Sequence, residues 1–98
     1  MDKQQALEIL MQHQEALRAL GVRHAALFGS VARGEQTAQS DVDVLVELDP
    51  DLQIGLFEYV GLTDHIAELF AGRAHVADRD GLKPYLRDSV INDAIYAF

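Results

Sequence analysis

Residues 29–43 read GSVARGEQTAQSDVD and separate two short apolar segments. The first segment, Val22–Phe28, is mostly apolar and stops at Gly29, which is typical of a buried strand that runs into a tight turn. In the second segment, Asp41–Leu48, one face of an alternating pattern is aliphatic and consists of Val42, Val44, Val46 and Leu48. We therefore expect two strands, connected by a brief helical turn through Arg33 and by a polar loop.

Helical patterns precede and follow these strands. Residues 2–20 place apolar side chains on one stripe, which begins with a potential capping box. A second stripe, over residues 56–70, includes Leu56 and Val60. We expect one amphipathic helix in each of these segments.

The last part of the chain adds a strand and a helix. Residues 74–77 form a short apolar segment that predicts a third strand. The helix is expected to start at about Leu82, because Pro84 then lies in the first turn, where its missing N–H costs nothing. Its buried side would consist of Leu86, Val90, Ile91, Ala94 and Ile95. Three or so strands with helices packed against them make a small two-layer α/β unit.

The composition limits the classes of function. The 98 residues carry 8 Lys and Arg against 16 Asp and Glu, a formal net charge of −8, and they are enough for one compact core, so we expect a single domain over residues 1–98. A nucleic-acid binder needs clustered cations, so direct binding of DNA or RNA is not expected. The apolar stretches are shorter than the roughly 20 residues of a membrane span, and residues 1–5 lack the layout of a signal peptide. We expect a soluble cytoplasmic protein without a membrane partner.

Two carboxylates are candidate metal ligands. Asp41 and Asp43 are two positions apart on the second expected strand and therefore share a face, about 7 Å from each other at the usual rise of a strand. If the valines of this strand face the core, both carboxylates lie at the solvent side of a rigid element, where they can share a Mg²⁺ ion. Without a cation their like charges repel. Taken alone, however, such a pair is also typical of a solvated strand face.

The turn before these carboxylates has the features of an anion site. Gly29 and Ser30 offer a backbone that a ligand can approach closely, a hydroxyl group and, if a helix begins here, unpaired N–H groups. Arg33 can either brace a phosphate or pair with one of the two aspartates. A phosphate-binding turn that is followed by a metal-binding strand is the layout expected for transfer of a nucleotidyl group.

The same stretch resembles a known signature. Gly29-Ser30, ten residues and then Asp41-Val42-Asp43, with Ala32-Arg33-Gly34 inside the gap, are similar to the motif of the DNA polymerase β-like nucleotidyltransferases. The small size and the leading helix resemble in particular the minimal nucleotidyltransferases (MNT), the partners of HEPN proteins in toxin–antitoxin pairs. The resemblance extends to residues 83–88 near the end of the chain.

This resemblance implies an α+β fold, in which helices pack against a small mixed β-sheet like the palm of these enzymes. It implies that Gly29 and Ser30 bind the phosphates of ATP and that Asp41 and Asp43 hold Mg²⁺, two ions in all. A hydroxyl group would attack the α-phosphate, and pyrophosphate would leave. The acceptor would be a tyrosine of a HEPN-domain ribonuclease toxin, which the attached AMP silences, so the chain would be the antitoxin.

One position departs from the family pattern. The family usually has a third carboxylate on the next strand, and alignment back from Lys83-Pro84 places His75 there. His75 can ligate a metal or accept the proton of the hydroxyl group, but it adds no negative charge for a second Mg²⁺. Asp78 and Asp80 could replace it only if the strand were shifted.

Two functions therefore stay open. One is an adenylyltransferase in which either His75 or an acidic side chain accepts the proton of the hydroxyl group. The other is a weak or inactive nucleotidyltransferase-fold antitoxin, which neutralises a HEPN ribonuclease by binding its basic groove through an acidic surface.

Overall fold

A computed structural model describes residues 1–98 as a four-stranded sheet with five α-helices. The elements follow in the order α1 Lys3–Gln12, α2 Gln14–Ala19, β1 Val22–Phe28, α3 Gly29–Arg33, β2 Val42–Leu48, α4 Leu56–Leu69, β3 Ala74–Asp78, α5 Pro84–Asp93 and β4 Ile95–Tyr96. A short 3-10 turn, Arg79–Gly81, connects β3 to α5. None of the helices is both long and apolar enough to cross a membrane.

The strands form one mixed sheet in the order β3-β2-β1-β4. Strand β1 pairs antiparallel with β2 and with β4, whereas β2 and β3 are parallel. Parallel neighbours need a crossover connection, and α4 provides it. The predicted α+β fold with a small mixed sheet and packed helices is thus confirmed.

The apolar core lies on one face of this sheet. The central strand β2 points Val42, Val44 and Val46 at that face, as the alternating pattern predicted. Helices α1, α2 and α4 cover it with fully buried side chains, among them Leu10, Leu17, Leu62 and Ile66. Burying one such side chain contributes about 1.5–3 kcal/mol. This layer therefore holds β2 in place, and with it the polar residues at the start of the strand.

The helix expected over residues 2–20 is divided into α1 and α2. Its predicted capping box is present: the N–H of Gln5 donates to the carboxylate of Asp2 at 2.8 Å, and the N–H of Asp2 donates to the side chain of Gln5 at 3.0 Å. The break lies at His13, whose backbone leaves the helical region. The ring Nδ1 of His13 is 2.8 Å from the carbonyl oxygen of Ile9 and helps to satisfy a carbonyl at the end of α1.

The end of the last helix also differs from the expectation. Ala94 and Ile95 were expected on the buried side of a helix, but α5 ends at Asp93 and Ile95–Tyr96 form β4. Strand β4 pairs with Ala26 and Leu27 of β1, and so part of an otherwise open sheet edge gains hydrogen bonds. Val90 and Ile91 of α5 are only half-buried and Leu86 is exposed, so the prediction of a buried helix side is wrong.

Candidate active site

The carboxylates of Asp41 and Asp43 lie at the start of β2, at one end of the sheet. Asp41 immediately precedes the strand, and Asp43 is its second residue. Because β2 lies between β1 and β3, Asp43 is paired in register with Phe28 on one side and with His75 on the other. Burial of Val42 on the opposite face fixes the direction in which both carboxylates point.

Gly29 brings the turn after β1 into contact with Asp43. Its φ is +73°, in the left-handed region that favours glycine. A Cβ atom at this position would overlap the carboxylate of Asp43. The site therefore requires the absence of a side chain at position 29, and the predicted glycine turn and the predicted acidic strand meet here.

Helix α3 begins at this contact. It runs from Gly29 to Arg33, so its first N–H groups, that of Ser30 among them, have no partner within the helix. Ser30 itself is half-buried. Gly34 ends the helix in the left-handed conformation, with a φ of 73°. The backbone therefore turns away directly after Arg33, as expected from the sequence.

Asp41 has two neighbours with ring or guanidinium nitrogens at the start of β3. The Nε2 atom of His75 lies 2.8 Å from one carboxylate oxygen of Asp41, and the Nε atom of Arg73 lies 3.3 Å from the other. These hydrogen bonds, first from His75 and then from Arg73, hold the pKa of Asp41 below its ordinary value. Arg73 also donates from Nη1 to the carbonyl oxygen of Ala38 at 3.1 Å. It thus anchors the loop that leads into Asp41.

Asp43 differs from Asp41 in having no side-chain hydrogen bond. Partial burial raises the pKa of Asp43; the positive charges of His75 and Arg33 oppose this rise, and the carboxylate of Asp41 adds to it. A half-buried carboxylate without hydrogen-bond donors is unfavourable when it is ionised. A cation beside Asp43 would remove this cost.

The two carboxylates fit a divalent cation that takes its remaining ligands from a substrate. Mg²⁺ prefers oxygen ligands and is usually held by one or two carboxylates together with phosphate oxygens and water. Asp41 and Asp43 offer that number of carboxylates. No group of three or more His, Cys, Asp or Glu side chains is arranged around a common metal position.

Arg33 is held by two carboxylates that do not belong to the Asp41–Asp43 pair. Its Nε atom donates to Glu35 at 3.0 Å, and its Nη1 atom donates to Asp93, the last residue of α5, at 2.6 Å. Of the two roles considered for Arg33, pairing with one of the aspartates of β2 is therefore not realised. Arg33 still lies close enough to Asp43 to influence its pKa.

The register of β3 places His75, and neither of the two nearby acids, beside Asp43. His75 is paired with Asp43, whereas Asp78 is paired with Val46, at the opposite end of β3. Asp80 lies beyond the strand, in the 3-10 turn. Neither acid is positioned to replace His75.

Sequence reasoning missed two residues of the site, Arg73 and Asp93. Arg73 reaches Asp41 across 32 positions, and Asp93 reaches Arg33 across 60. No local spacing signals such pairs. The twofold excess of acids over cations favours ion pairs of the arginines, but it tells neither which arginines are paired nor which acid is the partner.

Comparison with known proteins connects this geometry to a family. The family described as nucleotidyltransferase domain matches residues 10–97. A candidate protein adenylyltransferase of Methanocaldococcus jannaschii is 35% identical over 91 residues, which cover 91% of each of the two chains. The solved structure of a candidate minimal nucleotidyltransferase superposes with a TM-score of 0.69 at 33% identity and covers 97% of this chain and 95% of that one.

A more distant likeness concerns the fold alone. One chain in the solved complex of a tri-AMPylated HEPN toxin of Shewanella oneidensis with an MNT antitoxin superposes with a TM-score of 0.65. The two chains are 15% identical, and the match covers 94% of this chain and 71% of the other.

Proposed function

Because this chain belongs to the nucleotidyltransferase domain family, we propose that it is a Mg²⁺-dependent protein adenylyltransferase. It transfers AMP from ATP to a hydroxyl group of a HEPN-domain toxin and so acts as the antitoxin of that protein, in the cytoplasm and as a single domain. The observation that carries this proposal is the contact of Gly29 with Asp43, because it joins a turn suited to phosphates to a carboxylate suited to a metal. The names of the relative from M. jannaschii and of the Shewanella complex support the acceptor class.

In this proposal the turn after β1 binds the triphosphate. Gly29 has no side chain, so a phosphate can approach its backbone closely, and Ser30 adds a hydroxyl group and an N–H group as donors. The Arg33 guanidinium, held in place by Glu35 and Asp93, adds a fixed positive charge. The chain thus neutralises and orients the leaving group.

Asp41 and Asp43 would hold the metal, one ion or the two that the resemblance implies. When bound, Mg²⁺ neutralises the triphosphate and stabilises the attacking and leaving oxygens. Arg73 and His75 contact the carboxylate of Asp41 in this structure. They have to give up part of that contact when Asp41 takes up its ligand role.

The proposed reaction forms a bond between the acceptor oxygen and the α-phosphorus of ATP. It breaks the bond from this phosphorus to the oxygen that bridges it to the β-phosphorus. Pyrophosphate leaves, and the hydroxyl proton needs an acceptor. His75 suits this role, because its Nδ1 carries the free electron pair when its Nε2–H donates to Asp41. The side chain of His75 is 71% exposed, so an acceptor hydroxyl can reach it.

A second candidate function is neutralisation by binding alone. The specific observation in its favour is that Arg73 and His75 both contact the carboxylate of Asp41, because both therefore compete with a metal for this carboxylate. In that case the chain would bind the HEPN toxin without modifying it.

Mass spectrometry separates the two candidates. The protein is incubated with Mg²⁺, ATP and a HEPN-domain protein from the same organism, and the intact mass of the HEPN-domain protein is measured. A gain of one or more AMP units supports the adenylyltransferase, and a stable complex without a mass gain supports neutralisation by binding alone. If there is neither a mass gain nor a complex, the proposal has no support.

Matched variants connect transfer to the acidic pair. Asp41→Asn and Asp43→Asn should each abolish the mass gain while the complex persists, because the loss of a ligand charge weakens Mg²⁺ binding far more than it disturbs packing. Asp88→Asn, an exposed substitution on α5, is the control and should transfer normally. Unchanged transfer by both site variants would contradict the metal assignment.

A further inference from the structure

The end of the sheet remote from Asp41 and Asp43 carries a surface that the proposed reaction does not use. Asp43 and Leu48 are five positions apart on β2, which is about 17 Å at the usual rise of a strand. Here the ends of β2 and β3, the start of α4 and Leu82 surround an open cavity of about 450 Å³. Most of its lining is hydrophobic, including Leu48, Ile54 and Leu82.

Three large apolar side chains stand exposed beside this cavity. Leu56, Phe57 and Val60, on the first two turns of α4, are 74%, 90% and 47% exposed. Leu56 also lines the cavity, and Val60 lies one helical turn from both Leu56 and Phe57, so the three side chains form a patch that adjoins the cavity; we call the cavity and these three residues the α4 face. The sequence pattern placed Leu56 and Val60 on the apolar stripe with Leu62 and Ile66 beside it, but α4 buries Leu62 and Ile66 and leaves Leu56 and Val60 exposed. An exposed apolar patch of this kind is typical of an interaction site.

The surroundings of the α4 face are acidic. Asp78 lines the cavity, a carboxylate oxygen of Glu58 lies close to Gly55 in the first turn of α4, and Asp64 follows Val60 by one helical turn. None of these three carboxylates takes part in an ion pair, because the ion pairs of the chain involve other acids. Residues 49–72 contain Asp and Glu but no Lys or Arg at all. On its helix side the α4 face is therefore an apolar surface with negative charge and no cation, whereas Arg79, which is paired with Glu47, and Lys83 lie in the segment around Leu82.

We propose that the α4 face docks the protein acceptor through a cationic amphipathic segment. This segment inserts one or two large apolar side chains into the cavity and places Lys or Arg side chains against Asp78, Glu58 and Asp64. The inference rests on the proposed function, which needs a protein partner. A second copy of this chain fits less well, because its own acidic surroundings would face those of the first.

Docking at this place has a consequence for the reaction. A partner bound at the α4 face leaves the Asp41–Asp43 end of the sheet open, so that another part of the same partner can present its hydroxyl group there. The α4 face would then supply binding energy away from the reacting atoms. Its loss should raise the KM for the acceptor protein without a change in the KM for ATP.

The first test needs no transferase activity. Two designed amphipathic peptides with identical leucine positions, one with Lys and one with Glu on the polar face, are titrated into the intact protein by calorimetry and by ¹H–¹⁵N NMR. We expect only the Lys peptide to bind and to shift the amide signals of Phe57, Val60 and Leu82. Binding of both peptides, or signal shifts confined to Gly29 and Asp43, would overturn the proposal.

Variants identify the side chains involved. Phe57→Ser should weaken binding of the Lys peptide about tenfold, the loss expected of a central apolar contact. Since Phe57 is 90% exposed, the melting temperature should not change. Met11→Ser is the matched control: Met11 lies on α1, is 43% exposed, and its replacement should leave the affinity unaltered. Equal affinities of Phe57→Ser and the unaltered chain would refute the assignment.

The second test uses the HEPN-domain protein as acceptor. Phe57→Ser should raise the KM for this protein about tenfold and leave the KM for ATP and the saturated rate unchanged. If no AMP is transferred at all, the affinity of the complex is measured instead, so that failure of the docking proposal and failure of the proposed function are distinguishable. Self-association that is lost in Phe57→Ser would assign the face to a second copy and overturn the proposal.

Discussion

The guanidinium group of Arg33 and the carboxylate of Asp93 lie 2.6 Å apart, although the two residues are 60 positions apart in the sequence. Their contact ties the end of α5 to α3, the short helix that begins at Gly29. Glu35 holds the same guanidinium from its Nε side at 3.0 Å. The position of the cation in the proposed phosphate-binding turn therefore depends on the far end of the chain.

Asp93→Asn should weaken ATP binding by about three- to tenfold and leave kcat nearly unchanged. Arg33 loses the charged partner that fixes its guanidinium group in place, whereas Asp41 and Asp43 are not touched. The KM for ATP and the Kd of a non-hydrolysable ATP analogue measure this effect. In an Arg33→Ala background, Asp93→Asn should have no further effect on ATP affinity; an undiminished effect there would show that Asp93 does not act through Arg33.

Gly29→Ala should abolish transfer, because the new Cβ atom would displace the carboxylate of Asp43. Gly34→Ala is the matched control. Gly34 has the same φ of +73°, but no atom lies within 4 Å of its missing Cβ, so this variant bears the conformational cost alone. Both variants should lose about 1 kcal/mol or more of the free energy of unfolding, and only Gly29→Ala should lose activity. Equal activity of the two variants would contradict the role of the contact.

His75→Gln tests the proposed proton acceptor. The glutamine side chain can still donate a hydrogen bond to Asp41, but it has no basic nitrogen. We expect kcat to fall by about 10²-fold or more, the usual contribution of a general base, with little change in the KM for ATP. His75→Asp restores the carboxylate that the family usually has; a rate higher than that of the unaltered chain would show that His75 is not the better acceptor.

Glu47 provides a prediction for the dependence of stability on pH. Burial raises the pKa of Glu47, but hydrogen bonds from Tyr96 and Arg79 outweigh this effect and hold it below its ordinary value of 4.5. A carboxyl group whose pKa is lower in the folded state contributes stability above its unfolded pKa and loses that contribution as the pH falls through the folded pKa. Glu47→Gln should therefore destabilise the protein by about 1 kcal/mol at pH 7.

Urea denaturation from pH 7 to pH 3 measures this difference. The two unfolding free energies should approach each other as the pH falls from the ordinary pKa of a glutamate through the lowered pKa of Glu47 in the folded state, because only below the latter is Glu47 protonated in both states. A difference that grows as the pH falls would mean that the pKa of Glu47 is raised rather than lowered.

The strands and the turn between them were predictable because their signals are local. The alternation after Asp41 predicted β2 to within one residue, since the strand begins at Val42. Strand β4 was not predictable, because Ile95 and Tyr96 become a strand only when the edge of β1 is available to pair with them. The division of the first helix at His13 has no distinct pattern in the sequence either.

Helix α4 illustrates a different limit. Its first two turns carry apolar side chains on more than one side, so spacing alone does not tell which stripe meets the sheet. The structure buries Leu62 and Ile66 and exposes Phe57. Packing against β3 and within the common core makes this choice, and that information lies outside the helix.

The site was predictable as a set of residues but not as a set of contacts. Gly29 and Asp43 were recognised from the spacing of the motif, whereas the overlap that forbids a side chain at Gly29 needs three-dimensional positions. Arg73 and Asp93 were missed because their partners are distant in the sequence.

Because β2 and β3 pair in parallel, the position of His75 relative to Asp43 depends on the length of the turn before β3. His75 faces Asp43 because Ala74 is paired with Val42, and the turn between Phe70 and Ala74 sets this alignment. One residue inserted in that turn would shift β3 by one position and point the imidazole into the hydrocarbon layer. A variant with such an insertion would keep Asp41, Asp43 and Gly29, and a search for the sequence motif would still identify it as an active enzyme.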